Sequence, residues 1–408
     1  MKRVTFIHAA DLHLDSPMVG LKHLPQNIFK KLRESTFESF SKLINIAMMK
    51  KVDFLILAGD LFDAEDRSIR AQTRFHKEME KLAEERIPVF AVHGNHDHIE
   101  GEWAHLPMPG NVHIFSHQPE MLKFKNDHLT VHLYGFSYPE RHVHSRMIDD
   151  YQKVNGGDFH IGILHGHFEG SSNHGNYAPF RLVDLKEKAF DYWALGHIHK
   201  RAVLSESPPI IYSGNIQGRN KKETGRKGCY LVELTESGHS YEFIETESVI
   251  WDEMFIDASA AQTFHEILIE CRRAIEEVRQ EQKGVLLKLI VENITLTETE
   301  KKGIENGELL EILQDEEKDK ESFVWIFELD FKVKVEWNRT KLGNESEFFN
   351  ELFKQSEQLE YLDGSLSTLY SHPTARRYID GLSEADKKIL AEDAENLLMH
   401  LLIKSEVE

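Results

Sequence analysis

Five times in its first half, the chain runs through a short apolar stretch into a cluster of metal-binding or proton-carrying groups. Val4-Thr5-Phe6-Ile7 leads to His8-Ala9-Ala10-Asp11-Leu12-His13. Residues 52–58 lead to Gly59, Asp60 and Asp63, and residues 88–92 to His93-Gly94-Asn95-His96-Asp97. Residues 160–164 lead to His165-Gly166-His167, and residues 192–195 to Gly196-His197-Ile198-His199. Apolar runs of this length, bounded by Gly or Pro, are the pattern of buried parallel strands. Between the first three runs the period changes to three and four. Pro25, a favoured first-turn residue, opens a helix with the stripe Ile28, Leu32, Phe37, Phe40, Leu43, Ile44 and Ala47. A second helix spans about residues 68–86, with Phe75, Met79 and Leu82 inward, and Pro88 stops it. The order β-α-β-α-β predicts parallel strands joined by right-handed crossovers. Ligands in such sheets sit beyond the carboxyl ends of the strands, so the five clusters should share one rim.

The pattern weakens over 101–150, where alternation at 129–134 predicts strands of a second sheet. A polar loop at 170–176 is made of turn formers, and later strands fall at 210–212 and 229–234. Between those two, residues 218–228 carry five basic side chains: Arg219, Lys221, Lys222, Arg226 and Lys227. Near residue 250 the chain changes character. Charged helices at 260–282, 298–313, 345–362 and 383–404 alternate with a strand at 285–291 and with a strand pair or one long strand at 323–335, with a charged loop at 314–321. The last helix opens on a Ser383-Glu384-Ala385-Asp386 cap. A chain of 408 residues suggests two or three domains, at roughly 150 residues each. The divisions read here are 1–250, 251–340 and 341–408.

Charge is distributed unevenly. The net charge is −20, but residues 1–250 contribute −3 and residues 251–408 contribute −17. Two bound divalent cations would make the first part mildly positive. Histidine is skewed the other way, with 20 of 24 before residue 200, as metal sites require and a solvated surface does not. Only Cys229 and Cys271 are present, far apart and without metal-ligand spacing, which fits a reducing cytoplasm. No uncharged run reaches the roughly 18 residues of a membrane span. The N-terminus lacks the features of a signal peptide.

Imidazole with carboxylate suits Mn²⁺, Fe²⁺, Zn²⁺ or Co²⁺ better than Ca²⁺, which prefers oxygen alone. The candidates Asp11, His13, Asp60, Asn95, His165, His197 and His199 exceed one four-coordinate ion and suffice for two sharing a carboxylate. Paired ions about 3.5–4 Å apart clamp the attacking and leaving oxygens of a displacement at phosphorus. Each piece alone has a bland reading: a turn for Asp-x-His, a core histidine for His165, a tight turn for Gly94-Asn95. Five pieces in this order, each after an apolar run, are not explained that way.

Asp-x-His, Gly-Asp-x-x-Asp, Gly-Asn-His-Asp, His and Gly-His-x-His, in that order, resemble the motifs of the calcineurin-like metallophosphoesterases over residues 1–240. Residues 9–14, 58–63, 194–199 and Tyr212-Ser213-Gly214 resemble the SbcD-type DNA repair exonucleases, and the whole chain resembles their bacterial YhaO-like group. The resemblance implies an α/β fold: a four-layer αββα sandwich with a smaller α+β capping domain and C-terminal helices. It implies two divalent ions, usually Mn²⁺. Asp11, His13, Asp60 and His199 would hold one, and Asp60, Asn95, His165 and His197 the other. His96 would be the general acid, oriented by Asp97. Asp63 stands where some relatives carry a histidine near the substrate phosphate, and is placed behind the ligands. His167 competes with His165, which follows the strand more directly. The implied partners are DNA, an SbcC-like coiled-coil ATPase docked by the C-terminal helices, and a second copy of the chain. Among the basic residues, Arg219, Lys221 and Lys222 are the candidate phosphate contacts. A solvated charged hairpin is the other reading of that loop.

The leading function is therefore a metal-dependent DNA exonuclease in the cytoplasm. A phosphatase or cyclic-nucleotide phosphodiesterase would use the same ion pair. A DNA-end-binding scaffold without turnover is the alternative from another class.

Overall fold

The computed structural model describes residues 2–18, 21, 24–63, 68–99, 106–169, 177–294, 302–304, 306–333, 339–356, 360–372 and 382–405. The polar loop expected at 170–176 and the first turn of the helix expected at 298–313 lie outside them. By its internal contacts the chain divides into two compact units. The first holds Met1–Met254, Cys271–Leu289 and Gly303–Leu329, and the second holds Phe255–Glu270, Ile290–Lys302 and Asp330–Glu408.

Two six-stranded sheets build the first unit. Strands β1 (Arg3–Ala9), β2 (Phe54–Ala58), β3 (Val89–Val92) and β4 (Val112–Ile114) are parallel neighbours. Strands β5 (Glu120–Lys125), β6 (Thr130–Gly135), β7 (Phe159–His165), β8 (Tyr192–Gly196), β9 (Ala202–Glu206) and β10 (Pro209–Tyr212) form the second sheet, in the order β5-β6-β7-β8-β10-β9. The hairpin β11 (Gly228–Thr235) and β12 (Gly238–Glu245) returns to the first sheet, where β11 lies antiparallel to β1. Helices α1 (Gln26–Lys50) and α2 (Ile69–Glu84) supply the crossovers of the first sheet, and Leu182–Glu187 forms a short helix, α3, before β8. Ser68 caps α2, its Oγ accepting from the Ala71 amide at 3.0 Å.

Side-chain alternation makes the layers. Phe6, Phe54 and Ile56 pack between the sheets against Ile161, Ile163 and Ala194. Their neighbours Ile7, Leu55 and Leu57 face the other way, onto Phe40, Leu43, Phe75 and Met79 of α1 and α2. Trp193 and Leu195 turn outward under Leu185 of α3. Strands buried on both faces need apolar residues at consecutive positions, which is why the runs were continuous in sequence. The four layers are helix, sheet, sheet and helix.

Strands β13 (Val249–Asp257), β14 (Gly284–Ile294) and β15 (Val324–Val333) form a three-stranded sheet, and the composition break near 250 falls within β13. The stretch 323–335, open to one strand or two, is one strand over its described part. Val249, Trp251, Leu286, Phe323 and Trp325 pack against Ile28 and Leu32 of α1. Helix α4 (Phe264–Val278) begins four residues later than its pattern suggested, because Thr263 and Glu266 form a capping box: Glu266 Oε2 accepts from the Thr263 amide at 3.1 Å and Thr263 Oγ1 from the Glu266 amide at 3.2 Å. Helix α5 (Glu308–Asp315) occupies the end of the stretch expected at 298–313. Toward the C-terminus, helices span Arg339–Glu345, Glu347–Ser356, Glu360–Ser371 and Glu384–Ser405. The first, and the third beyond residue 362, were not expected from the sequence. No helix among the described residues is long and apolar enough to cross a membrane.

His8 ties the two sheets together. It is fully buried, its Nδ1 is 3.0 Å from the Tyr192 hydroxyl and its Nε2–H donates to the Leu195 carbonyl at 3.2 Å. Burial pushes its pKa down to about 3, against the small upward pull of the Leu195 carbonyl. The unfolded chain takes up a proton at His8 near pH 6.5, whereas the folded chain does so only near 3. Stability from this residue is therefore lost as pH falls from 6.5, at about 1.4 kcal/mol per pH unit. Urea unfolding at several pH values should show that slope reduced by about one proton in His8→Phe. An unchanged slope would contradict this account of the inter-sheet layer.

Candidate metal centre

Parallel pairing carries the ends of β1, β2, β3, β7 and β8 to one rim. The pairing of β1 with β2 continues past the strands. The Asp11 amide donates to Gly59 O at 3.0 Å, that of His13 to Asp60 O at 3.0 Å and that of Leu14 to Leu61 O at 3.1 Å. Four of the candidate ligands pay a backbone cost: Asp11 (φ 53°), His13 (φ 41°), Asp60 (φ 50°) and His197 (φ 97°) are left-handed. A non-glycine residue in that region costs roughly 1–2 kcal/mol. Such strain clusters where side chains must be aimed at a site.

The side chains converge. Asp11, His13, Asp60 and His199 each offer a ligand atom within 4.8 Å of the others. His13 Nε2 lies 3.1 Å from His199 Nε2 and 3.6 Å from Asp60 Oδ2. His199 Nδ1–H donates to Glu223 Oε1 at 2.8 Å, so its Nε2 presents a lone pair to the cluster. The same Asp60 oxygen is approached by His165 Nε2, at 3.5 Å, and that nitrogen stands 3.1 Å from Asn95 Oδ1. His197 Nδ1 is 3.2 Å from the same Asn95 oxygen. His165 Nδ1–H is committed to the Ala58 carbonyl at 3.0 Å, which aims Nε2 at the carboxylate. It is His165, and not His167, whose ring nitrogen faces Asp60.

Two observations test whether a cation fits. First, the nitrogens and carboxylate oxygens converge with lone pairs toward a common space, which favours a positive charge there. Burial alone would lower the His165 pKa, but Asp60 and Asp11 overcome it and raise it to about 9. Burial likewise pushes Asp60 up, and the surrounding imidazoles pull it well below the carboxylate range. Second, the space is kept by glycine. A Cβ on Gly94 would stand 2.4 Å from Asp60 Oδ1 and 2.6 Å from His165 Nε2, and one on Gly59 (φ 96°) 2.2 Å from His165 Nδ1. The donor set and the room around it fit divalent ions of the first transition row.

Two expectations about the neighbours change. Asp97 does not orient His96. Its Oδ2 takes the Leu61 amide at 2.8 Å and His93 Nδ1 at 3.0 Å, and its Oδ1 takes the Gly94 amide at 2.6 Å. It fastens the loop after β3 to the loop after β2. The partner of His96 is Asp63, whose Oδ1 is 3.2 Å from His96 Nδ1. Burial lowers the His96 pKa, but the Asp63 hydrogen bond and the Asp60 charge outweigh it, so the net shift is upward. Asp63 Oδ2 also binds Arg219 Nη1 at 3.1 Å, which brings one of the basic candidates to the site. Lys221 and Lys222 are not brought there. Lys221 Nζ binds Glu328 at 2.9 Å, and both lysines line a cavity with Trp251 and Phe327. Glu223 was missed altogether, because it is one acid in a basic run. Burial pushes it up, yet His199 and Arg219 hold it down at about 2.

The family model of the calcineurin-like phosphoesterases matches residues 4–201. Over 405 residues the chain is 41% identical to the uncharacterized metallophosphoesterase YhaO of Bacillus subtilis (strain 168), covering 98% of both. The chain belongs to the calcineurin-like metallophosphoesterases. Members of this family bind divalent metals and hydrolyse phosphoesters. This metallophosphoesterase is also 26% identical over 250 residues to the DNA double-strand break repair protein Mre11 of Sulfurisphaera tokodaii, covering 58% of this chain and 61% of that one. Its likeness to the Mre11 of Methanococcus maripaludis, 24% identical over 372 residues, covers 86% of this chain and 91% of the relative.

Ligand binding to the folded state alone stabilises it by about 2.7 kcal/mol at a hundredfold excess over Kd. Mn²⁺ should therefore raise the melting temperature of the wild type. In Gly94→Ala the added methyl occupies the cluster, and the Mn²⁺-dependent rise should vanish while the circular dichroism spectrum is kept. A full rise in Gly94→Ala would contradict the placement of the cation.

Proposed function

We propose that this protein is a metal-dependent DNA exonuclease, the nuclease subunit of an SbcCD-like repair complex. The observation that carries the reading is the extent of the likeness to DNA double-strand break repair proteins. It reaches 86% of the chain, well past the residues matched by the phosphoesterase model. A phosphatase or cyclic-nucleotide phosphodiesterase needs the core alone. The intact donor set speaks for turnover over a scaffold that only binds DNA ends.

In this reading Asp11, His13, Asp60 and His199 hold one ion, and Asp60, Asn95, His165 and His197 hold the other, Mn²⁺ being the expected metal. Bound there, the ions supply Lewis acidity and lower the pKa of water. The chain's own groups do the rest. Asp60 is held in place by the His96 amide, which donates to its Oδ1 at 2.9 Å. His96 Nδ1 is engaged by Asp63, so Nε2 carries the proton given to the leaving oxygen. Arg219, beside Asp63, offers positive charge to the scissile phosphate. Residues 251–340 act as a capping domain that positions DNA. The helices of 341–408, in the acidic part of the chain, dock an SbcC-like coiled-coil ATPase. Two copies pair, and the complex works in the cytoplasm.

Purified protein with Mn²⁺ should degrade end-labelled DNA, and a chelator should stop it. Efficient hydrolysis of aryl phosphates with duplex and single-stranded DNA left intact would overturn the nuclease reading.

The general-acid role makes a separate prediction. Turnover by His96→Asn should fall by about 10²–10⁴-fold with Mn²⁺ binding kept, and equal activity would remove His96 from the mechanism. The protonated form of His96 does the work and its pKa is raised, so kcat/KM should fall as pH rises through that value. Asp63→Asn removes the group that raises it. The alkaline limb of the profile should then move to lower pH, and an unmoved limb would disconnect Asp63 from His96.

A further inference from the structure

Three basic side chains of the run 218–228 are engaged by neighbouring groups. Arg219 pairs with Asp63 and Glu223, Arg226 with Glu245, Glu247 and Gln280, and Lys227 Nζ donates to the His199 carbonyl at 3.1 Å. The acid at the centre of this arrangement is Glu223, whose side chain is 10% exposed. Its Oε2 accepts from Asn215 Nδ2 at 2.7 Å and from the Arg219 amide at 2.8 Å. Its Oε1 accepts from Asn220 Nδ2 at 3.1 Å and from His199 Nδ1 at 2.8 Å.

We propose that Glu223 is a positioning residue that fixes the tautomer and aim of His199. The inference rests on the reading of the site as a metal centre. Two groups compete for His199 Nδ1. Glu223 is a pure acceptor at 2.8 Å and requires Nδ1 to carry the proton. Arg219 Nη2, a pure donor, stands at 3.5 Å and would require a bare Nδ1. The shorter, charge-assisted bond decides. With the proton on Nδ1, the Nε2 lone pair faces the cluster, 3.1 Å from His13 Nε2. Without Glu223, Arg219 is the remaining partner of Nδ1, the proton moves to Nε2, and the nitrogen that should bind a cation is blocked. The three other hydrogen bonds of Glu223 hold its carboxylate in the one orientation that serves His199. His165 needs no such acid, because the Ala58 carbonyl does the same work from the backbone. Loss of a carboxylate placed behind a ligand imidazole costs about 10–100-fold in metal affinity.

The test is a Mn²⁺ titration of the apo protein without substrate, followed by the free-ion electron paramagnetic resonance signal. It is paired with ¹⁵N spectra of the histidine rings. In Glu223→Ala one of two Mn²⁺ sites should weaken by about 10–100-fold, with the other unchanged. In a His199→Ala background the same substitution should add no further loss. The His199 ring should change from the Nδ1–H to the Nε2–H tautomer in the apo variant. Glu223→Gln, which keeps one acceptor oxygen and the shape, should lose less and guards against a folding defect in the alanine variant. The inference is overturned by an unchanged tautomer, by equal weakening of both sites, or by a loss that adds to that of His199→Ala. A wild type that takes up no Mn²⁺ would instead overturn the metal reading, while the tautomer would still report whether Glu223 positions His199.

Discussion

The structure turns on the burial of one carboxylate. Asp60 is 1% exposed, at the end of β2 in the middle of the first sheet. It faces His13 from its own sheet and His165 from the other. A buried anion without compensation costs several kcal/mol. Imidazoles, the His96 amide and a place for cations are gathered around it, and the two sheets must be in register for that to happen. The inter-sheet packing and the proposed chemistry are therefore one requirement: what holds β2 against β7 and β8 also sets the spacing of the donors.

The same economy governs the loops. Strand ends that stop at a rim would ordinarily turn through glycine or asparagine. Here Asp11, His13, Asp60 and His197 adopt left-handed backbone themselves, and glycine is used at Gly59 and Gly94 to leave room. Asp97 holds the loop ends of β2 and β3 together, while Glu223 and Lys227 secure His199 by its ring and its carbonyl. Rigidity comes from hydrogen bonds between loops, so the aim of each donor depends on residues remote in sequence.

How much of this was legible in the chain follows from the physics of each feature. Strands buried on both faces leave continuous apolar runs, and the crossover helices leave a period between three and four, so the α/β layers could be read directly. The start of α4 was misplaced because a capping box at Thr263–Glu266 overrides the helix-favouring Ala260, Ala261 and Gln262 before it. The return of β11 to lie against β1 joins residues more than two hundred positions apart, and nothing local encodes it. The polar residues at strand ends were visible as a set, since each follows an apolar run. Their pairing was not. Whether His96 meets Asp97 or Asp63 depends on which way a turn throws its side chains, and residue type does not specify that. Glu223 left no signal, because its neighbours in sequence are basic and its partners are Asn215 and His199.

In the proposed reading two cations share Asp60. Anomalous X-ray scattering at the manganese edge, from crystals of the full chain grown with Mn²⁺, tests it most directly. The account predicts two peaks on either side of that carboxylate, one among Asp11, His13 and His199 and the other among Asn95, His165 and His197. A single peak remote from Asp60, or none at saturating Mn²⁺, would contradict it.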